Sequence, residues 1–387
     1  MKIEIHNRCS DFASYRAARV KSLFNAESGC NFDLTAELPI DAAEWQIGVV
    51  VGPSGSGKTS IGRAIWNGEA FYEPTGWPDD APIVDAIAPG GDFNDVTGAL
   101  AAVGLGDVPA WLRPYRVLSN GERFRADLAR IVSESPPRVV VDEFTSVVDR
   151  QIAKFGALAF AKAWRRTTGR AVLLTCHYDV LDWIEPDWVF NTETRTFAGR
   201  WLQPARWYQR PQFDVEIWET DWRYWPEFEP HHYLKLPRMI AARCYVGAVD
   251  GERVCHVAVG TANRGGTAEA RACRLVVKPE WQGAGVGVRF LNAVCELQRT
   301  GGTGARLPGR SKTTIFHTSH PGLCAALRRN RAWRQVSCKL FGVSNRKSGT
   351  TMHTSAVKRG LRKAITAGFG GHFRAVQGFR YYGEPSR

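Results

Sequence analysis

Gly52-Pro53-Ser54-Gly55-Ser56-Gly57-Lys58-Thr59 decides the fold of the first part of this chain. The octapeptide follows the apolar run Ile47-Gly48-Val49-Val50-Val51, which reads as a buried strand, and precedes Ser60-Ile61-Gly62-Arg63-Ala64-Ile65-Trp66, whose apolar spacing is helical. Strand, glycine loop and helix in that order make an anion cradle. Glycines 52, 55 and 57 admit positive φ and close backbone approach, so that successive N–H groups and a helix N-terminus face one point. Nucleotide phosphates are expected there, with Lys58 reaching the β- and γ-phosphates and the Thr59 hydroxyl on Mg²⁺. Ser54, Ser56 and Ser60 stand among the surrounding groups.

Further along, Val139-Val140-Val141-Asp142-Glu143 reads as a parallel-type strand ending in two acids. Asp142 is expected to hold Mg²⁺ through water, and Glu143 to polarise the attacking water as general base. Ser146-Val147-Val148-Asp149 follows, and Ala171-Val172-Leu173-Leu174-Thr175-Cys176 gives another buried strand just before His177.

Together with Leu118-Ser119-Asn120-Gly121-Glu122, these segments resemble the ATP-binding-cassette (ABC) ATPase superfamily over about residues 15–200. The resemblance implies that Leu118–Glu122 is the signature loop, Ser146–Asp149 the dimer-contacting D-loop, and His177 the γ-phosphate-sensing switch. It implies a head-to-tail homodimer, in which Ser119 and Gly121 of one copy close on ATP held by the other. The chain departs from the family in reading LSNGE for LSGGQ: asparagine keeps access to the left-handed conformation, and glutamate adds charge. No glutamine occurs between Gly52 and Arg150, so the Mg²⁺-contacting Q-loop residue is missing, and Asp85 or Asp92 is expected in its place. Phe24 is the expected adenine-stacking aromatic, with a core position as the alternative.

A second cradle lies beyond residue 236. Arg274-Leu275-Val276-Val277-Lys278 leads through Pro279-Glu280-Trp281 into Gln282-Gly283-Ala284-Gly285-Val286-Gly287 and then the helical stretch Val288–Cys295. The Q-x-x-G-x-G spacing resembles the acetyl-CoA pyrophosphate loop of the GNAT acyltransferases, where loop N–H groups from Gln282 to Gly287, after Val277, hold the pyrophosphate. A hairpin of Cys244–Val249 and Val254–Gly260 turning at Asp250-Gly251, a strand over Thr313–Thr318 and a helix over Pro321–Arg329 are expected around it. No acid follows at the distance a dinucleotide-binding fold requires. The family's usual tyrosine is absent from Leu323–Arg334; His317, Ser319, His320, His256 and Glu269 substitute by residue type, with His320 the first to test as catalytic group. Cys324 reads as a small buried thiol rather than a nucleophile.

The expected architecture is therefore α/β: an ABC-type ATPase domain over residues 1–200, an aromatic-rich ordered connector over 201–235, and a GNAT-like α+β domain over 236–387. The order resembles prokaryotic and mobile-element ATPase–acetyltransferase fusions, which implies ATP, Mg²⁺ and acetyl-CoA as cofactors. The connector carries Trp201, Trp207, Tyr208, Trp218, Trp222, Tyr224 and Trp225, an aromatic density that calls for an ordered strap between the domains or a base-stacking platform.

Charge is uneven. The net charge is +13, yet residues 301–387 hold 17 Lys+Arg against one acid, Glu384, while the first 300 residues hold 34 against 37. Arg328–Arg334, Asn345–Gly349 and Lys358–Lys363 mix cations with small residues, as phosphate-backbone contact requires, so nucleic acid is the expected partner. Phe373 and Phe379 are expected on a final strand. A base amine of RNA or DNA is then the expected acyl acceptor; the alternatives are a protein or small amine, with the ATPase as a conformational switch, or a non-catalytic nucleic-acid clamp. No window of eighteen apolar residues and no apolar N-terminal segment occur, so no membrane span or signal peptide is expected. Nine scattered cysteines without a C-x-x-C pair read as reduced, cytoplasmic thiols. His231-His232 and His317/His320 have no zinc-type spacing in their favour.

Overall fold

The computed structural model describes residues 1–8, 13–24, 31–74, 76–202, 208, 213–232, 238–239, 242–264, 267–303, 305, 308–339, 343–344, 371–372 and 375–383. They fall into two compact units: Met1–Gly76 with Glu134–Pro211, and Trp77–Ser133 with Gln212–Arg387. The chain thus leaves the first unit, contributes a helical segment to the second, and returns.

The first unit opens with β1 (Lys2–Arg8), α1 (Tyr15–Phe24) and β2 (Asn31–Glu37). β1 and β2 pair antiparallel, and their alternation turns Ile3, Ile5, Leu34 and Ala36 into a core shared with Trp45, Ile61, Ile65, Trp188 and Phe190. β3 (Ile47–Val51) is buried along its whole length and leads through the glycine loop into α2 (Lys58–Ile65). The excursion into the second unit comprises α3 (Ile83–Ala86), α4 (Phe93–Ala102), α5 (Val108–Trp111) and α6 (Asn120–Glu134), whose final residue is back in the first. The return supplies β4 (Arg138–Val141), α7 (Arg150–Trp164), β5 (Arg170–Thr175), α8 (Val180–Ile184), β6 (Trp188–Asn191) and β7 (Thr196–Gly199).

The sheet order is β4-β5-β3-β6-β7, with β4, β5, β3 and β6 parallel and β7 antiparallel at the edge. Parallel strands are covered on both faces, which is why β3 and β5 read as continuous apolar runs. Their carboxyl ends share one edge, where ligands of open parallel sheets bind. The glycine loop leaves that edge after β3, Asp142-Glu143 after β4 and His177 after β5.

The second unit continues with β8 (Glu216–Thr220), α9 (Trp225–Phe228), β9 (Arg243–Val249), β10 (Glu252–Arg264), β11 (Thr267–Val277), α10 (Val286–Thr300), β12 (Thr314–Thr318), α11 (Pro321–Arg329), β13 (Trp333–Lys339), the short pair β14 (Val343–Ser344) and β15 (Gly371–His372), and β16 (Val376–Tyr381). Seven strands form one sheet in the order β13-β16-β12-β11-β10-β9-β8. Every pairing in it is antiparallel except β11 with β12. The β9–β10 hairpin turns at Asp250 (φ 51°) and Gly251 (φ 79°), two left-handed residues, as a turn matched to strand twist requires.

The stretch expected as a connector contributes to the second unit. Trp218 lies on β8, an edge strand paired with β9, and Trp225 and Phe228 are core residues of the second unit with Trp222 and Tyr224 packed against them. Trp207 lies outside the described residues, as do the basic stretches 345–349 and 358–363, Phe373 and Glu384. Phe379 and Tyr381 are buried on β16, as the alternating final segment requires. Among the described residues no helix is long and apolar enough to cross a membrane.

Candidate functional site

At the carboxyl edge of the first sheet, α2 begins at a glycine. Gly57 caps the helix with φ 90° and no side-chain hydrogen bond, which leaves the first-turn N–H groups directed out of the loop. Lys58 is buried and folds over the loop, its Nζ donating to the carbonyls of Gly52 (2.9 Å) and Pro53 (2.7 Å). Ser56 Oγ donates to the Pro53 carbonyl at 2.7 Å and lies 2.5 Å from Thr192 Oγ1. Ser54 and Gly55 are exposed at the tip. Ser60 faces the other way, accepting from Asn7 Nδ2 of β1 at 3.2 Å.

Thr59 Oγ1 donates to Asp142 Oδ2 at 2.8 Å, so the two residues expected at Mg²⁺ meet across 83 positions of sequence. A hydroxyl and a carboxylate are hard oxygen donors, and a pair of protein ligands completed by phosphates and water suits Mg²⁺. Among the described residues no group of three or more His, Cys, Asp and Glu is arranged to hold a metal, including the His231-His232 and His317/His320 pairs.

Glu143 is exposed, with φ 49°, and Thr145 follows with φ 70°. Non-glycine residues rarely take such angles, and their presence in one turn marks a strained segment. Thr145 Oγ1 lies 3.4 Å from His177 Nδ1. Burial, with the nearby Arg150 cation, lowers the His177 pKa, against opposing pulls from Asp179 and Glu143. Arg150 is itself held by Asp179, with its guanidinium over the Trp183 ring at 4.9 Å. Asp149, expected in the D-loop, caps α7 by accepting the N–H groups of Gln151 and Ile152 at 3.0 Å each.

The Q-loop gap has a structural counterpart. Tyr72 N–H donates to the Val140 carbonyl (2.8 Å) and Val140 N–H to that of Ala70 (2.6 Å), a parallel bridge that carries the chain along β4. Glu73, exposed, lies two residues beyond Phe71, as Asp142 lies two beyond Val140. Asp85 lies on α3, and Asp92 is the N-cap of α4, its carboxylate accepting Asn94 N–H at 2.7 Å. Both belong to the helical segment of the second unit.

In the signature loop, Ser119 N–H donates to Glu122 Oε2 (2.8 Å) and Glu122 N–H to Ser119 Oγ (3.3 Å). This reciprocal pair is a capping box for α6, closed by the Glu122 carboxylate. Ser-x-x-Glu before a helix is the signal that was available in the sequence. Asn120 is the first residue of α6 and is not among the residues with positive φ. Gly121 is its neighbour on the first turn. Phe24 ends α1, and its side chain lies outside the described residues.

In the second unit, Gly285 caps α10 with φ 83° and again no side-chain hydrogen bond, the same device as Gly57. Gly283 has φ 90°, Val286 turns its side chain into the core, and Gly287 packs so closely on Val277 that a Cβ would stand 2.7 Å from Val277 Cγ2. Gln282 Nε2 donates to the Val277 carbonyl at 3.1 Å, which folds the loop back onto the end of β11; Ala284 lies at its tip.

His320 is half-buried. Its Nδ1 accepts Leu323 N–H (3.3 Å) as the N-cap of α11, which leaves Nε2 as the protonated nitrogen, 3.3 Å from the Gly106 carbonyl. Both nitrogens are engaged, and burial lowers the His320 pKa. Ser319 Oγ donates to the Ala375 carbonyl, and Glu269 is ion-paired with Arg380 at 2.6 Å. His256 is buried against Trp222, Trp225 and Phe228. Cys324 is buried, and burial pushes its thiol up to about 11.

No family model matches the chain. It is 31% identical over 163 residues to a cytochrome c biogenesis ATP-binding export protein CcmA of Rhodospirillum rubrum, covering 34% of this chain and 68% of that protein. It is 33% identical over 144 residues to a CcmA of Rhodopseudomonas palustris, covering 30% and 71%. A solved dimeric ATP-binding cassette in a post-hydrolysis state, bound to ADP and Pi, aligns at 13% identity and a TM-score of 0.34 over 49% of this chain and 94% of that one. The CcmA similarities, with the glycine loop, signature and acidic strand end in place, define a nucleotide-handling α/β protein. The chain belongs to the ATP-binding-cassette ATPase family.

Proposed function

We propose that the chain is an ABC-type ATPase joined to a GNAT-like, acetyl-CoA-dependent acyltransferase that modifies a nucleic-acid amine. The observation that carries the second half is the seven-stranded sheet, whose single parallel pairing, β11 with β12, adjoins the strand that feeds the Gln282–Gly287 loop into α10. A splayed parallel pair beside a glycine-capped helix is what a diphosphate carrier with an extended pantetheine arm needs. The loop N–H groups and the α10 N-terminus bind the diphosphate and so orient the thioester.

In the ATPase, Lys58 exchanges its loop carbonyls for phosphate oxygens. Thr59 and Asp142 would hold Mg²⁺, which would neutralise charge on the phosphates. Glu143 orients and deprotonates the attacking water, and His177 accompanies it at the γ-phosphate end. Glu73 takes the place of the missing glutamine, supported by its exit beside β4. Two copies are arranged head to tail, each Ser119 and Gly121 closing on the other's nucleotide. Nucleic acid as acceptor is supported by the 17 cations against one acid after residue 300.

Calorimetry with acetyl-CoA tests the carrier site on the full chain. Saturable binding that Gly285→Glu abolishes is expected, because the substitution puts bulk and like charge at a left-handed helix cap. Unaltered binding by Gly285→Glu would remove the loop from its role. Mass spectrometry of nucleosides and proteins after incubation with labelled acetyl-CoA, with and without ATP, identifies the acceptor. Label on protein alone would displace nucleic acid from this reading.

A further inference from the structure

Within the second unit the helical segment and the diphosphate loop are built as one piece. Gly106 N–H donates to Gln282 Oε1 at 2.9 Å across 176 residues of sequence. A Cβ at Gly104, which has φ +85°, would run into the Gln282 carbonyl, and one at Gly106 would stand 2.6 Å from Gln282 Oε1. Arg125 is 5% exposed, and its Nη1 donates to the carbonyls of Gly104 (2.9 Å) and Pro279 (2.7 Å), one on each side of the junction. His320 Nε2 reaches the Gly106 carbonyl, and Trp111 packs edge-on to the same imidazole at 5.5 Å while its Nε1 donates to the Leu105 carbonyl at 2.8 Å. Helix α11 meets α4 so closely that Gly322 has no room for a Cβ beside Ala101.

Arg125 belongs to α6, the helix whose capping box is Ser119 and Glu122. Gln282 is the residue that opens the diphosphate loop, tied through Nε2 to the end of β11 and through Oε1 to Gly106. One buried guanidinium and one amide therefore connect the signature helix to the backbone that receives the carrier's phosphates.

We propose that Arg125 and Gln282 are positioning residues that make acyl-carrier affinity depend on whether Ser119 is engaged by nucleotide. The inference rests on reading Gln282–Gly287 as the carrier's diphosphate loop. Closure of the signature loop on ATP moves α6, and with it the Gly104 and Pro279 carbonyls that Arg125 bridges; the loop N–H groups shift as Gln282 follows Gly106. Packed junctions of this kind pass displacement on because they do not deform continuously. Linkage then requires that the carrier alter nucleotide affinity by the same factor.

The test is a thermodynamic square on the full chain: acetyl-CoA titrated with and without a saturating non-hydrolysable ATP analogue and Mg²⁺, and the analogue titrated with and without acetyl-CoA. Equal factors of at least about fivefold in both directions are expected, within the range usual for coupled sites. Arg125→Met should bring the factor to about one while both ligands still bind; Arg125→Lys, which keeps a single donor, should retain part of it. A merely structural role would lower thermal stability and leave the factor unchanged, and that result would overturn the proposal. If Arg125→Met fails to fold, Arg125→Lys and the native square decide alone. Acetyl-CoA binding with a factor of one in the native chain sinks the linkage only, whereas no acetyl-CoA binding at all sinks the carrier reading beneath it.

Discussion

Thr59 on the first turn of α2 and Asp142 at the end of β4 share a 2.8 Å hydrogen bond at the carboxyl edge of the first sheet. Either oxygen can exchange its partner for Mg²⁺ with little rearrangement, because both elements are fixed by parallel pairing and by the core beneath them. Replacing Thr59 by Ala or Asp142 by Asn should lower Mg²⁺-dependent ATP turnover by about tenfold or more, and Thr59→Ser should retain most of it. Steady-state phosphate release at varied Mg²⁺ gives the answer, and wild-type turnover in Asp142→Asn would exclude this metal site.

Glu143 is held by a strained turn, beside a hydroxyl-bound His177. Removing the base while keeping shape, as Glu143→Gln does, should cost about 10²–10⁴ in hydrolysis and leave nucleotide bound. Accumulation of an ATP-loaded dimer in light scattering is the expected companion result. Hydrolysis at the native rate would take Glu143 out of the mechanism.

The bridge from Phe71 to Val140 leaves Glu73 and Asp142 each two residues beyond it, the basis for proposing Glu73 as a Mg²⁺-side residue. Glu73→Ala should raise the Mg²⁺ concentration needed for half-maximal turnover, and Glu73→Gln, which restores the family's usual side-chain amide, should recover activity. An unchanged Mg²⁺ requirement in the alanine variant would leave the position without a role.

The capping box at Ser119 and Glu122 satisfies donors at the start of α6. Glu122→Ala should destabilise the chain by about 0.5–2 kcal/mol, while Glu122→Gln, which keeps the acceptor, should be close to neutral. Thermal melting separates the two, and equal losses in both would mean that the charge, not the hydrogen bond, is what counts.

His256 is fully buried, and desolvation lowers its pKa from the ordinary 6.5 to about 4, with the Arg274 carbonyl opposing and His232 reinforcing the shift. The unfolded chain therefore binds a proton that the folded chain refuses. Stability contributed by this group is complete above pH 6.5 and is lost as pH falls from 6.5 toward 4, by on the order of 3 kcal/mol. Denaturant midpoints measured across that interval should fall more steeply for the native chain than for His256→Phe. Parallel slopes would show that another group governs acid unfolding.

Much of this architecture was written locally. The glycine spacing at 52–59 and at 282–287 could be read directly because each loop lies between an apolar strand and an amphipathic helix, so both anion cradles follow from neighbours in sequence. The same holds for the Asp250-Gly251 turn and for α11, found over Pro321–Arg329 as its spacing and its proline at the first helical position require. The role of Glu122 was also local, since Ser119 and Glu122 stand at Ser-x-x-Glu spacing before α6. Sequence could not show that His320 is a helix cap with its second nitrogen on Gly106, that Glu73 stands beside β4, or that the segment Trp77–Ser133 belongs with the C-terminal sheet. Those facts rest on hydrogen bonds and close glycine contacts between segments far apart in the chain, and such pairings carry no periodicity for a sequence to display. Local spacing set each glycine loop between its strand and its helix; tertiary packing alone brought Gln282 against Gly106 and Arg125 against Pro279.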